Sequence, residues 1–141
     1  MTRSEIDALL ARHREAFDRR SVAALAASHA EHGTFESPAA GIVKGRTAIA
    51  GVYEYWLESF PDIEFTWGDP IVEGDRVALF WHFRGTAIGQ FFGEVKPGTT
   101  VEFVGAGEYL VSPEGIVSVR HIFDFTGALV NAGVLKVKPS T

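Results

Sequence analysis

The amino-acid sequence predicts an α+β fold in which N-terminal helices pack on one face of a curved, mainly antiparallel sheet. Apolar residues recur at helical spacing as far as Phe60, and the period changes to two from Asp62 onward. No Pro-, Gly- or Ser-rich stretch among the 141 residues is long enough to link two domains. We therefore expect a single domain over residues 1–141, with its core at about residues 4–135.

Two helices are predicted before a short extended segment. Ser4 is a candidate N-cap for the first helix, with Asp7 at the capping-box position. Ser21 begins a second, shorter helix. Residues 33–40 then read as an extended segment that ends at Pro38.

The third helix is the clearest element of the sequence. It begins near Thr47 and ends at Pro61, because proline lacks the N–H that would continue the helix. One stripe of this helix is apolar and should face the sheet. The stripe consists of Ile49, Val52, Tyr53, Trp56, Leu57 and Phe60.

The strands follow in order from residue 63. A first strand alternates apolar and polar side chains over residues 63–67, and a turn at residues 73–75 leads into a long strand. Gly85 and Gly89 suggest a bend or bulge in that long strand. Turns at 96–98 and 112–115 then bound two further strands, at 100–111 and 116–123, and a tail at 124–135 is compatible with one short helix.

The sheet carries bulky apolar side chains on both of its faces. Phe80 has the opposite parity to Trp81 on the long strand, and Val104 has the opposite parity to Phe103 on the next one. A sheet face that meets water is normally polar. We therefore expect a homodimer that forms through the outer sheet face.

Composition excludes several classes of function. The absence of cysteine rules out disulfides, thiol nucleophiles, thiolate metal sites and iron–sulfur clusters. A formal net charge of −5 with mixed signs argues against nucleic-acid binding. Without a signal-peptide pattern or a membrane-length apolar run, a soluble, cytoplasmic protein is expected. The 17 aromatic residues, 11 of them phenylalanine, must fill a core, line a pocket or face a partner.

Several motifs together resemble a known family. They are Phe60-Pro61-Asp62, the Gly-Asp before the long strand, the Gly85-Thr86…Gly89 stretch and the Asp124…Gly133 ending. The sequence from about residue 8 to residue 135 resembles the SnoaL-like branch of the nuclear-transport-factor-2-like superfamily. The resemblance implies a cone-shaped α+β barrel that is open at one end, with a deep apolar pocket and usually a dimer. Its members include cyclases, isomerases, epoxide hydrolases, dehydratases and non-catalytic binding domains, so the resemblance does not fix the activity.

His121 is the first candidate catalytic residue. It shares parity with Val119 and Phe123, which directs it toward the core. In the polyketide cyclases and limonene-type epoxide hydrolases that this chain resembles, a catalytic aspartate lies three positions before a strand-ending aspartate, which Asp124 matches. The resemblance thus places His121 on the catalytic position, where imidazole can transfer protons near neutral pH. The alternatives are a buried histidine of the pocket wall and, for Asp124, a helix N-cap.

Glu36 is the second candidate catalytic residue. In the ketosteroid isomerases a catalytic aspartate immediately precedes the proline that Pro38 matches, and Ser37 holds that position here, which disfavours steroid isomerisation. Glu36 could instead pair with His121 and orient it, or raise its pKa. It could equally be an ordinary exposed strand glutamate.

Five further residues are candidate ligand contacts. His82 and Arg84 could hold a carboxylate, enolate or epoxide oxygen, or could lie on the outer face, and parity alone leaves both possibilities open. Tyr109 could donate its hydroxyl to a ligand or to a backbone partner. Tyr53 and Trp56 lie in the middle of the third helix and are assigned to the pocket wall.

The sequence therefore predicts a small-molecule enzyme that works by acid/base chemistry without a cofactor. The expected reaction is an isomerisation, cyclisation or hydrolysis of a hydrophobic ketone, ester or epoxide in an apolar pocket. No metal is expected: His13, His29 and His32 are assigned to the helical region, and the closely spaced pair His29 and His32 lacks a third ligand. The alternative is a non-catalytic ligand-binding or dimerisation module, which the missing aspartate and Ala87, at a common histidine position of the family, support.

Overall fold

Four helices and seven strands form an α+β fold in the computed structural model, which describes residues 1–138. Residues 139–141 of the predicted domain lie outside the described residues. The helices are α1 Arg3–Asp18, α2 Val22–Ala27, α3 Arg46–Ser59 and α4 Phe125–Ala132. The strands are β1 His29–Ser37, β2 Gly41–Lys44, β3 Glu64–Trp67, β4 Ile71–Glu73, β5 Arg76–Thr86, β6 Thr100–Ser112 and β7 Gly115–Phe123.

The strands form one mixed sheet in the order β2-β1-β7-β6-β5-β3, with β4 also paired to β5. Every pairing is antiparallel except that of β1 with β7. Because β2 and β3 remain at opposite ends of this order, the sheet does not close. The predicted fold class is thus confirmed, and β2 and β4 are two short strands that the hydrophobic pattern did not predict.

The beginning of α1 differs from the prediction. Thr2, and not Ser4, is the N-cap: its hydroxyl accepts a hydrogen bond from the Glu5 N–H, and Glu5 Oε1 accepts one from the Thr2 N–H. Together the Thr2 hydroxyl and the Glu5 carboxylate satisfy two free N–H groups at once, as in a capping box. Ser21 caps α2 as predicted, through the N–H of Ala24.

The first strand begins earlier than predicted. His29 and His32 lie in β1, so their assignment to the helical region is wrong. The short polar run around them has no apolar alternation, and pairing with β7 decides its conformation. The register of that pairing shifts between His29 and Thr34, where Gly33 approaches β7 so closely that a Cβ would lie 3.0 Å from the Ile116 oxygen.

The expected bulge of the long strand is absent from β5. Gly85 pairs regularly with Val101, and Gly89 lies beyond the end of the strand. Gly85 is instead explained by packing, because a Cβ there would lie 2.8 Å from the Cβ of Phe60. None of the helices within residues 1–138 is long and apolar enough to cross a membrane.

The core consists of two hydrophobic clusters on the inner face of the sheet. One packs the apolar faces of α1 and α3 on β1, β5, β6 and β7, and the other surrounds Phe60 and Phe83 near α4. Leu57 and Trp67 contact both clusters. A cavity lies between the clusters.

The outer face of the sheet carries a patch of exposed apolar side chains. Phe80, Val104 and Ile122 are 61%, 67% and 57% exposed. Phe80 and Ile122 pair with the same residue, Ala106, from opposite sides, so they lie in one row across β5, β6 and β7. We call Phe80, Val104 and Ile122 the outer patch.

Candidate active site

The cavity has a volume of about 60 Å³ and a wall that is mostly aromatic. One water molecule needs roughly 10–15 Å³ of such volume, so the cavity has room for a few water-sized groups. A larger ligand must displace some of the rings. The wall consists of Phe17, Phe35, Ser37, Val52, Tyr53, Trp56, Leu57, Ile63, Phe65, Trp67, Trp81, Phe83, Phe103, Tyr109, His121 and Phe123.

Apart from the indoles, the polar groups of the wall belong to Ser37, Tyr53, Tyr109 and His121. The His121 ring centroid lies 5.7 Å from that of Tyr109 and 5.2 Å from that of Phe35, which is in turn 5.8 Å from Tyr53. Among the described residues, the wall holds no Asp, Glu, Lys or Arg. The site therefore offers neutral hydrogen-bonding groups in aromatic surroundings.

His121 is held in one tautomer. The indole Nε1–H of Trp81 donates to His121 Nδ1 at 3.3 Å. Burial, with a smaller contribution from His29, lowers the pKa of His121 to about 4, so the ring is neutral near pH 7. A neutral imidazole carries one N–H, and an indole N–H can only donate. The proton of His121 therefore lies on Nε2.

Two glycines of β6 make this hydrogen bond possible. Trp81 pairs with Gly105 and His121 pairs with Gly107, so both rings come from strands that flank the same stretch of β6. A Cβ on Gly105 would lie 2.5 Å from the Trp81 ring, and one on Gly107 would lie 2.9 Å from His121 Nδ1. Without side chains at these two positions, the rings can pack over the β6 backbone and meet.

Tyr53 is the second fixed polar group of the wall. Its Oη lies 2.6 Å from Nε2 of His29, which is fully buried behind it on β1. Burial raises the pKa of Tyr53 and of Tyr109, so both phenols remain protonated and can donate. Burial and the charge of Arg46 lower the pKa of His29 to about 4.

A family profile of the SnoaL-like domain matches residues 10–119. The chain belongs to the SnoaL-like domain family. Curated proteins give no match to it.

Several solved structures have the same fold. AclR from Streptomyces galilaeus, a candidate hydroxylase, is 24% identical with a TM-score of 0.82, over 98% of this chain and 87% of AclR. IdmH from Streptomyces antibioticus, a candidate polyketide cyclase, is 27% identical with a TM-score of 0.76, over 90% of this chain and 97% of IdmH. SalBIII is an epoxide hydrolase/cyclase-like enzyme with a role in pyran ring formation in the polyether salinomycin. It is 19% identical with a TM-score of 0.73, over 87% of this chain and 93% of SalBIII.

Four sequence-predicted site residues of this SnoaL-like domain line the cavity. His121, Tyr109, Tyr53 and Trp56 all belong to its wall. The Trp56 ring faces Phe91 at 5.0 Å and Phe83 at 5.6 Å between centroids, in edge-to-face contacts. Trp56 thus contributes apolar surface, whereas the other three contribute hydrogen-bonding groups.

The structure does not bring Glu36, His82 or Arg84 to the cavity. Glu36 Oε2 lies 3.8 Å from Nε of Arg120 on the outer face of the sheet, so it does not pair with His121. His82 Nε2 lies 3.2 Å from a carboxylate oxygen on the neighbouring strand, and Arg84 is exposed. The alternation of β5 buries Trp81 and its neighbours at odd positions, which leaves the even positions outside.

Asp124 has the structural role that the sequence allowed. Its Oδ1 accepts a hydrogen bond from the Gly127 N–H at 2.8 Å, which makes it the N-cap of α4.

Within residues 1–138, no group of three or more His, Asp or Glu side chains is arranged to share a metal ion.

Sequence reasoning missed His29 and the two glycines of β6. Nothing in the sequence around His29 distinguishes it from a surface histidine, because its burial comes from the pairing of β1 with β7. The glycines did leave a signal. Gly105-Ala106-Gly107 interrupts a strand of otherwise bulky residues, which indicates a close approach of other groups to the backbone.

Proposed function

We propose that this SnoaL-like domain is a cofactor-independent enzyme that acts on a hydrophobic ketone, ester or epoxide. The observation that carries the proposal is the neutral His121 ring, with its proton on Nε2, in the wall of an aromatic cavity. In such surroundings a hydrogen bond to an oxygen that gains negative charge is much stronger than in water. His121 then stabilises an enolate or alkoxide oxygen of the substrate.

The geometry favours a hydrogen-bond donor over a general base as the role of His121. Its Nδ1 is already occupied by the Trp81 N–H, and a pKa of about 4 makes the neutral ring a weak base. A neutral histidine can polarise a carbonyl in this way. Of the acid/base roles that the sequence allows for His121, the proposal therefore keeps one: its N–H stabilises the negative charge that develops on the substrate oxygen.

The cavity wall also favours one class of reaction. Since the described wall holds no carboxylate, it offers no strong base that would activate a water molecule for hydrolysis. Ring closure needs no such water, because the nucleophile is part of the substrate itself. A hydroxyl of the substrate forms the new C–O bond as the epoxide C–O bond breaks, and its proton passes to the oxygen that is released, whose developing charge His121 stabilises. Similarity to a candidate polyketide cyclase and to an epoxide hydrolase/cyclase-like enzyme supports ring closure as the first reaction to test.

A non-catalytic ligand-binding module is the second candidate function. The absence of an ionised group from the described wall favours it, because binding of an apolar ligand needs none. The two candidates make the same prediction about ligand class, a hydrophobic small molecule with an oxygen acceptor. They differ in whether a product forms.

The experiment is a turnover screen of cyclic ketones, lactones and epoxides with wild type and His121→Leu. His32→Gln is the matched control, because His32 is an exposed histidine of β1 away from the cavity. We expect products with wild type and the control, and a large loss with His121→Leu. Equal turnover by His121→Leu would contradict the proposed site, and thermal stabilisation by a compound without any product would favour the binding module.

We further propose that the chain forms a homodimer through the outer patch. The apolar centre of this face is bordered by charged pairs: Arg76 contacts Glu108 at 2.8 Å, and Glu36 contacts Arg120 at 3.8 Å. An apolar centre with a polar rim is the usual composition of a protein interface. Its burial against a second copy would remove three large apolar side chains from water.

A further inference from the structure

A buried histidine lies directly behind one of the polar groups of the cavity. His29 does not line the cavity, but its Nε2 lies 2.6 Å from the Oη of Tyr53, which does. The backbone of His29 is itself held, because Nε of Arg46 donates to its carbonyl oxygen at 2.8 Å. The orientation of the Tyr53 hydroxyl therefore depends on which nitrogen of His29 carries the proton.

The surroundings of the other ring nitrogen distinguish the two tautomers. His29 Nδ1 is buried without a hydrogen-bond partner, and so is Nδ1 of the neighbouring His13, whose ring centroid is 5.7 Å away. A proton on His29 Nδ1 would be a buried donor without an acceptor. A proton on Nε2 leaves a lone pair unpaired at Nδ1, and the Tyr53 O–H that it frees faces a cavity with room for a water molecule or a ligand group. Unpaired buried N–H groups are rarer in proteins than under-satisfied acceptors, which favours the Nε2–H tautomer.

In that tautomer His29 is the donor and Tyr53 Oη is the acceptor. The phenolic hydrogen of Tyr53 is then free, and it turns to the side that His29 does not occupy, toward the cavity. His29 stays neutral in this arrangement, because burial and the nearby charge of Arg46 both oppose a second proton on its ring.

We propose that His29 is a positioning residue that directs the Tyr53 hydroxyl into the cavity, where Tyr53 and His121 together bind one oxygen atom of the ligand. Both rings pack on Phe35 and both line a cavity of only about 60 Å³, which brings the two donors to one small space. The ligand oxygen must accept two hydrogen bonds. A ketone, ester carbonyl or epoxide oxygen has this character, whereas an ammonium group has no lone pair to offer.

The ligand class in this inference rests on the proposed function, but the orientation of His29 does not. The first experiment therefore needs no ligand. Long-range ¹H–¹⁵N correlation spectra of the full chain, labelled at histidine nitrogens, report which ring nitrogen carries the proton. The signals of His29 and His13 are assigned with His29→Gln and His13→Gln. We expect the Nε2–H tautomer for His29, and the Nδ1–H tautomer would overturn the proposal.

The second experiment uses a substrate found in the turnover screen. We expect His29→Leu to lower kcat about tenfold with little change in KM. Without His29 the Tyr53 hydroxyl has no fixed direction, and this hydroxyl contributes most in the transition state, when charge develops on the ligand oxygen. His29→Gln, whose amide can still donate to Tyr53, should recover most of the loss. Unchanged kcat in His29→Leu would overturn the proposal. If no compound of the screen reacts, the proposed function fails, and the tautomer alone decides the orientation of His29.

Discussion

The indole N–H of Trp81 donates to Nδ1 of His121 at 3.3 Å and thereby connects β5 to β7 across the backbone of β6. This hydrogen bond determines which ring nitrogen of His121 carries the proton. It assigns the single proton of a neutral imidazole to Nε2, which makes His121 a donor. The rings can meet because β6 carries glycine at positions 105 and 107.

Replacement of the donor should release the tautomer of His121. In Trp81→Phe, Nδ1 loses its partner, and we expect the ¹⁵N shifts of His121 to move toward an average of the two tautomers. Trp67→Phe is the control, because Trp67 also lines the cavity but lies on β3 and has no hydrogen bond to His121. An unchanged His121 tautomer in Trp81→Phe would show that the indole does not fix it.

A methyl group on β6 should destabilise the protein. In Gly107→Ala the new Cβ would lie 2.8 Å from a ring carbon of Tyr109 and 2.9 Å from His121 Nδ1, so both rings must shift. We expect a loss of about 1–3 kcal/mol in the free energy of unfolding, measured with urea. Gly51→Ala on α3, with no atom within 4 Å, should instead stabilise by up to about 1 kcal/mol. Equal stability of Gly107→Ala and wild type would contradict the packing described for this strand.

Acid should destabilise the protein through its buried histidines. Burial lowers the pKa of His13 to about 3 and those of His29 and His121 to about 4, whereas an unfolded chain has histidine pKa values near 6.5. Between about pH 6.5 and 4 the unfolded state binds more protons than the folded state. The free energy of unfolding therefore falls as the pH falls, by up to about 1.4 kcal/mol per pH unit for each histidine.

Urea unfolding at pH 7.5, 6 and 5 measures this dependence. His13→Gln should have a smaller slope than wild type over the same range, because one of the three titrating groups is gone. A free energy of unfolding that is the same at pH 7.5 and pH 5 would contradict the burial of these rings as neutral groups.

The outer patch should determine the oligomeric state. At micromolar concentration, light scattering of wild type should give twice the 15.4 kDa mass of one chain. Val104→Asp places a charge at the centre of the patch and should give monomers. Ile88→Asp is the control, because Ile88 is also 61% exposed but lies in the loop after β5. A monomeric wild type would contradict the dimer.

The spacing of apolar residues predicted the helices and strands whose buried face can be recognised within one segment of the sequence. The stripe of α3 and the alternation from Ile63 to Trp67 each bury one face of one element, so the pattern can be read locally. The same alternation placed His121 on the face of Val119, and that face is the inner one. Strand β1 could not be predicted in full, because its first residues are ordered by pairing with a strand about 85 positions later.

The sequence left the positions of three candidate site residues open for one physical reason. Alternation separates the side chains of a strand into two faces, but it does not say which face the helices cover. It therefore cannot place His82 and Arg84, and it allows Glu36 as a partner for His121 although Glu36 lies on the other side of the sheet. The contact between Trp81 and His121 joins residues 40 positions apart through a third strand. No local pattern reports such a contact.

The most direct test of the central claim is the ratio of kcat/KM between wild type and His121→Leu on the first compound that the screen shows to react. If the Nε2–H of His121 stabilises the developing oxygen charge, the ratio should be about 100 or more, as for the loss of one preorganised donor elsewhere. The His32→Gln control should keep the wild-type value. A ratio near one, with the His121→Leu variant folded, would contradict the assignment of His121 as the group that acts on the substrate.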